Sequence, residues 1–148
     1  MTRSKRIKSI ADIAKNREQS AAQVLGKKRQ FLKLQRERLN ELTSYREEYS
    51  RRFESSGNAG FNSRQLTEFR TFFDKLNKAI VQQRDLINQL DKECHVCQEN
   101  WVNKRVNSQA IGKVVEKYQY QEICEQEKRE QLDLDERAQR LGLIPLGD

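Results

Sequence analysis

Residues 66–118 read LTEFRTFFDKLNKAIVQQRDLINQLDKECHVCQENWVNKRVNSQAIGKVVEKY. Within them Leu66, Phe69, Phe73, Leu76, Ile80, Gln83, Ile87, Leu90, Cys94, Cys97, Trp101, Lys104, Ser108, Ile111, Val115 and Tyr118 recur at intervals alternating strictly between three and four. Only Gln83, Lys104 and Ser108 in this series are polar. The alternation averages about 3.5 residues, the repeat of a left-handed coiled coil whose a and d positions form an apolar seam. No proline precedes Pro145 to interrupt it. A helix with one apolar seam cannot bury it alone, so the chain predicts a partner helix, its own or another protein's. A slender helical pair has no pocket, which weighs against an enzyme.

Working outward, the composition agrees. The chain has 148 residues, 35% hydrophobic and 34% charged, against about 25% charged in an ordinary globular domain. A compact globule of this length would have too little apolar surface to bury, whereas a two-helix coil needs only a stripe. A mean hydropathy of −1.00 raises disorder as the alternative. A disordered segment, however, has no reason to hold a heptad in phase over fifty residues. The net charge is +7 and unevenly spread: residues 1–52 carry 15 Lys/Arg and 6 Asp/Glu, the remainder 14 and 16. Three cysteines, no transmembrane stretch and no apolar signal core after MTRSKRIKSI point to the cytoplasm.

The pattern predicts a first helix over about residues 10–53. Its stripe is Ala21, Val24, Leu25, Lys28, Phe31, Leu32, Gln35, Leu39, Leu42, Tyr45, Tyr49 and Phe53. Gly26 lies inside it, weakening the helix or permitting close approach of another backbone. Residues 54–63 contain the one strong breaker, ESSGNAGFN, and Asn62 or Ser63 is the expected N-cap of the next helix. The second helix runs over about 64–140, roughly 110 Å at 1.5 Å per residue. An apolar tail, 141–148, follows, with Gly142 and Pro145 as its stop.

The reading is therefore all-α: one coiled-coil domain over residues 1–148, a long antiparallel two-helix hairpin with the second helix longer than the first. Folding about residue 58 sets Leu66 near Arg51 and Ile87 near Arg29, each within a few residues. It also leaves the second helix overhanging beyond about Ser108, with Ile111, Val115 and Tyr118 as an unpaired apolar stripe suited to a partner.

Cys94-His95-Val96-Cys97 is the only arrangement suggesting metal or redox chemistry. Zinc needs four converging ligands, and a second ligand pair is missing. A haem signature needs His directly after the second Cys, where Gln98 stands. A thioredoxin-like site starts at a helix N-terminus, whereas these cysteines fall mid-helix on the seam. They are expected to pack as small hydrophobes. No Gly-rich phosphate loop, HExxH or GxSxG occurs. No catalytic, metal or cofactor site is assigned. The aromatics say more: Tyr45 and Tyr49 on the first helix face Phe69, Phe72 and Phe73 on the second near the turn, more rings than two helices enclose. Leu42, Tyr45 and Tyr49 with Phe72, Leu76 and Ala79 are the expected partner-binding patch.

The segments AAQVLG (21–26), LTSYREEYSRRF (42–53), the Gly-containing turn, FRTFFDKLNKAIVQQR (69–84), the Trp at 101 followed by bases, and LDLDERAQR (132–140) occur in an order and spacing that resemble the flagellar FliJ family of type III export proteins. The resemblance implies an antiparallel coiled coil like the stalk of rotary ATPases, cytoplasmic and held at the membrane only through partners. It implies contact with the ring of the export ATPase FliI, with the export gate protein FlhA and with export chaperones. The gate surface matched here is Leu42, Tyr45, Tyr49, Phe72, Leu76 and Ala79. The ATPase is assigned to Ile111, Val115 and Tyr118. Three rival readings remain. One is the equivalent stalk of a virulence secretion system. The second is a basic coiled coil that binds nucleic acid, against which the acids after residue 53 weigh. The third is a redox or zinc protein using Cys94 and Cys97.

Overall fold

In the computed structural model, which describes residues 2–57 and 60–142, the chain forms two α-helices, α1 (Arg3–Ser56) and α2 (Ser63–Arg140). They pack as a helical hairpin with α2 the longer, 78 residues against 54. The chain divides into two compact units, residues 20–101 and residues 1–19 with 102–148.

The helix ends follow from local chemistry. α1 begins at Arg3 rather than near Ile10 because Thr2 caps it: the Lys5 N–H donates to Thr2 Oγ1 (3.4 Å) and the Arg6 N–H to the Thr2 carbonyl (3.2 Å). α1 ends where Gly57 takes φ +69° and its N–H donates to the Glu54 carbonyl (3.2 Å), a left-handed C-cap. Of the two candidate caps for α2, Asn62 takes the role. Its Oδ1 accepts from the Gln65 N–H (2.8 Å) while Gln65 Oε1 accepts from the Asn62 N–H (3.1 Å), a reciprocal capping box. The expected tail from 143 onward, and residues 58 and 59 of the turn, lie outside the described residues.

In residues 20–101 the core is the shared seam. Leu32, Ile87, Leu90 and Cys94 form one cluster with Leu39 packed against it. Ile87 thus lies close to where the hairpin register set it. Ile80 is 1% exposed, and each such aliphatic side chain contributes about 1.5–3 kcal/mol by leaving water. All α2 seam positions in this unit, Leu66 to Trp101, are buried or half-buried. On α1 the seam positions Ala21, Leu25, Lys28, Leu32, Gln35, Leu39, Leu42, Arg46, Tyr49 and Phe53, again at alternating threes and fours, are all buried or half-buried. The expected stripe is corrected at three places. Val24 (50% exposed), Phe31 (46%) and Tyr45 (47%) sit on the shoulder, and Arg46 holds the seam position in place of Tyr45. Hydrophobicity had drawn the stripe sideways, whereas the heptad phase decides burial. A methyl group at Gly26 would meet nothing within 4 Å, so no backbone approaches it closely.

Four polar residues interrupt this seam, Lys28, Gln35 and Arg46 on α1 and Gln83 on α2. Gln35, 3% exposed, accepts from Gln83 Nε2 through both its side-chain Oε1 (2.8 Å) and its carbonyl (2.9 Å). Lys28 Nζ donates to Glu93 Oε2 at 3.1 Å.

In the other unit α1 contributes Ser4, Ile7, Ala11, Ala14 and Glu18, and α2 contributes Lys104, Ser108, Ile111, Val115, Tyr118 and Glu122, all buried or half-buried. Here the expected overhang is overturned. Because α1 starts at Arg3, Ser4 reaches Glu122: its N–H donates to Oε1 (3.1 Å) and its Oγ to Oε2 (2.6 Å). Val115 is 8% exposed and Ile111 and Tyr118 are half-buried, so this stripe is covered rather than unpaired. The apolar residues left open on α2 in this unit include Val106, Val114, Tyr120, Ile123, Leu132 and Leu134.

Gln83→Ala is expected to lower stability by about 1–3 kcal/mol, because it strands the buried Gln35 side chain. Gln35→Leu with Gln83→Leu should recover that loss while loosening the register. Urea unfolding measures the first effect, and spin-label distances between α1 and α2 the second.

Candidate partner-binding surface

A two-helix seam has two margins, the residues flanking it on either side. In residues 20–101 one margin is identified by the Tyr45–Phe72 contact, with ring centroids 6.2 Å apart and edge-on. Stepping seven residues from Tyr45 gives Arg38, Phe31 and Val24 on α1. Stepping from Phe72 gives Ala79 and Leu86 on α2. Phe31, Val24, Phe72 and Leu86 are all exposed to 39% or more, and Leu34, one turn from Phe31, is 49% exposed. An apolar strip therefore runs along this margin, broken by Arg38.

Near the turn the strip rests on stacked rings. Tyr49 stacks on Phe69 at 4.8 Å and meets Phe72 at 4.8 Å; Phe53 stacks on Phe69 at 3.9 Å and touches Phe61 at 5.1 Å. Tyr49, Phe53, Phe61 and Phe69 line a groove of about 310 Å³ together with Tyr45 and Gln65. Aromatic pairs of this geometry add about 0.5–1.5 kcal/mol beyond area burial, so Tyr45 and Phe72 are held on a stiff base.

The six expected patch residues are thus brought together but not equally presented. Tyr45 and Phe72 are exposed; Leu42, Tyr49 and Ala79 are half-buried; Leu76, 8% exposed, belongs to the core. Leu76 follows Phe73 by three and precedes Ile80 by four, so the seam claims it. Phe31, Leu34 and Leu86 extend the surface beyond the expected six. The signal for two of them was present in the seven-residue steps from Tyr45 and Phe72. Of the second expected group, Val115 is enclosed, and the exposed apolar residues in its unit include Ile10, Ile13, Val106 and Tyr120. Cys94 packs in the core cluster, and Cys94, Cys97 and Cys124 carry free thiols.

Two carboxylates have shifted proton affinity. The bond from Ser4, first through its hydroxyl and then its amide, holds Glu122 below the usual carboxylate value. The Lys28 ammonium does the same for Glu93, and Glu93 in turn raises Lys28. No helix among the described residues is long and apolar enough to cross a membrane.

Comparison with known proteins fits this geometry. Residues 3–143 match the family described as Flagellar FliJ protein. The chain belongs to the FliJ family. The Flagellar FliJ protein of Escherichia coli (strain K12) is 27% identical over 135 residues, covering 91% of this chain and 92% of that protein. The Flagellar FliJ protein of Salmonella typhi is 24% identical over 137 residues, covering 93% of each. No solved structure matches. The FliJ match spans both units and nearly the whole of α1 and α2.

Leu76→Ala is expected to cost about 2–5 kcal/mol, as a core truncation. Tyr45→Ala, on the exposed shoulder, should cost about 1 kcal/mol or less; thermal unfolding of the two variants separates core from surface. Glu122→Gln tests the Ser4 contact. A carboxylate whose folded pKa is depressed stabilises fully above its unfolded value, and that contribution fades as pH falls through the ordinary value of 4.5 toward the folded one. The variant should therefore melt below the unsubstituted chain at neutral pH, with the gap closing in acid, in thermal scans across pH.

Proposed function

We propose that this chain is a component of the flagellar protein export apparatus and works as a coiled-coil stalk held by other proteins. In this reading the aromatic margin of residues 20–101, centred on Tyr45, Tyr49 and Phe72 with Leu42 and Ala79 beside them, meets the export gate protein FlhA. The other unit engages the ring of the export ATPase FliI, through the open edges of Ile111 and Tyr118 together with Ile10 and Ile13. Leu76 and Val115 act from within, by holding those surfaces in place. Export chaperones are escorted by the same chain, which stays cytoplasmic and reaches the membrane only through its partners.

The observation that carries the proposal is the exposure of Tyr45 and Phe72, 47% and 39%, on top of a stacked aromatic base. Large rings that protrude from a stiff support lose little freedom on binding, the property of interface hot spots. Membership of the FliJ family supports the flagellar setting, and the hairpin, which buries only its own seam, leaves both margins available.

The test is Tyr45→Asp and Phe72→Asp, made separately. Each should weaken binding to a purified gate cytoplasmic domain by about 30-fold or more, matching a hot-spot loss of about 2 kcal/mol. Swimming motility should fall with it while helical circular dichroism is unchanged. Full motility with both residues charged would remove this margin from the gate interface.

A further inference from the structure

The second margin of residues 20–101 has a different character. It is identified by two cross-helix contacts: Arg36 Nη2 to Asp91 Oδ1 at 3.4 Å, and Arg46 Nη1 to Asn77 Oδ1 at 3.0 Å. Seven residues before Arg36 stands Arg29, with Lys33 one turn from each. Seven residues after Asn77 stands Arg84, and seven before it Arg70. Over residues 27–52 and 68–93, five bases, Arg29, Lys33, Arg36, Arg70 and Arg84, therefore share this margin with three acids, Glu47, Asp74 and Asp91, and the guanidinium of the seam residue Arg46 reaches its edge.

Near the turn three exposed bases are paired within their own helix. Arg51 pairs with Glu47, Arg52 with Glu48, and Arg64 with Glu68, each across one helical turn. Arg29, Lys33, Arg70 and Arg84 are exposed and make no ion pair among the described residues. The aromatic margin on the opposite side is balanced, with Lys27, Arg38, Arg52 and Lys75 against Glu41, Glu48, Glu68 and Glu93. Residues 27–52 and 68–93 thus present an apolar margin without net charge on one side and a margin with a surplus of two bases on the other.

We infer that the cationic margin is a docking track for an acidic helix of a partner protein, one with carboxylates at seven-residue intervals. Its periodicity supports this. Bases seven residues apart stand about 10.5 Å apart along a helix, the spacing at which another helix repeats a heptad position. The groove beside a two-helix seam also has the shape that a third helix fills. Guanidinium forks take carboxylates through paired hydrogen bonds, and four of the five bases are arginines. Nucleic acid fits less well. A duplex strand carries a charge about every 3.4 Å of axis, far denser than these bases, and none of these positions holds an aromatic ring for base stacking. A lipid surface fits less well too, because Val81 is the one large exposed apolar residue beside the bases. The inference does not depend on the export reading, which uses the opposite margin.

The experiment is fluorescence anisotropy with the full chain and a synthetic four-heptad helical peptide bearing Glu at one heptad position and its neighbour. Controls are a peptide of the same composition with its glutamates redistributed, duplex DNA, and vesicles containing anionic phospholipid. The heptad peptide should bind at least tenfold tighter than the redistributed one and should weaken steeply as salt rises. Combining Arg29→Glu, Lys33→Glu, Arg70→Glu and Arg84→Glu should lower its affinity at least tenfold with helicity retained. Arg29→Gln with Arg84→Gln should give a smaller loss in the same direction. Tyr45→Ala with Phe72→Ala, on the opposite margin, should leave it unchanged. Equal binding of the two peptides, tighter binding of DNA or vesicles, no effect of the base substitutions, or loss on the aromatic substitutions would each overturn the inference.

Discussion

One constraint governs the whole molecule: two helices share a single buried stripe. In residues 20–101 that stripe is filled by the Leu32–Ile87–Leu90–Cys94 cluster and its continuation through Ile80 and Leu76. With only about two positions in seven enclosed, every other side chain lies on a margin or on the outer face. Exposure of large apolar residues such as Phe31, Leu86 and Val24 is then a direct result of the architecture. A fold that cannot hide those groups is suited to presenting them.

How much of this was legible in the sequence depended on side-chain size. α2 could be read position by position because its seam is built of Leu, Ile, Phe, Cys and Trp, whose spacing is unmistakable. The beginning of α1 was missed because its seam has one large apolar residue, Ile7, among Ser4, Ala11, Ala14 and Glu18, which give almost no periodic signal though they are fully in phase. That omission shortened α1 and created the apparent overhang at Ile111–Tyr118. The candidate surface was half legible. Tyr45, Tyr49 and Phe72 stood out as aromatics in excess of what the seam can enclose. Leu76 was grouped with them by proximity, and only its heptad phase showed that it faces inward. Phe31 was hidden for the opposite reason, since an apolar residue beside a seam reads as part of it, and Leu86 was left out of both the seam and the patch.

Identity rests on different ground. Heptads, caps and a glycine turn describe any helical hairpin, and nothing in the seam names a flagellar protein. What separates this hairpin from others is the unlike chemistry of its margins and the match to the FliJ family along nearly the full chain. The seam supplies the frame, and the residues one step to either side of it supply the individuality.

The Gln35–Gln83 contact bears on mechanics. Gln83 Nε2 holds both the amide oxygen and the main-chain carbonyl of Gln35 inside a mainly apolar stripe. Sliding one helix past the other by a heptad would leave the apolar layers nearly as well matched as before, so those layers alone resist shear poorly. The same slide would set a buried amide opposite a hydrocarbon side chain, at a cost of about 1–3 kcal/mol. This bond acts as a detent, allowing a push on α1 to arrive at α2 as displacement instead of being lost to slippage between them.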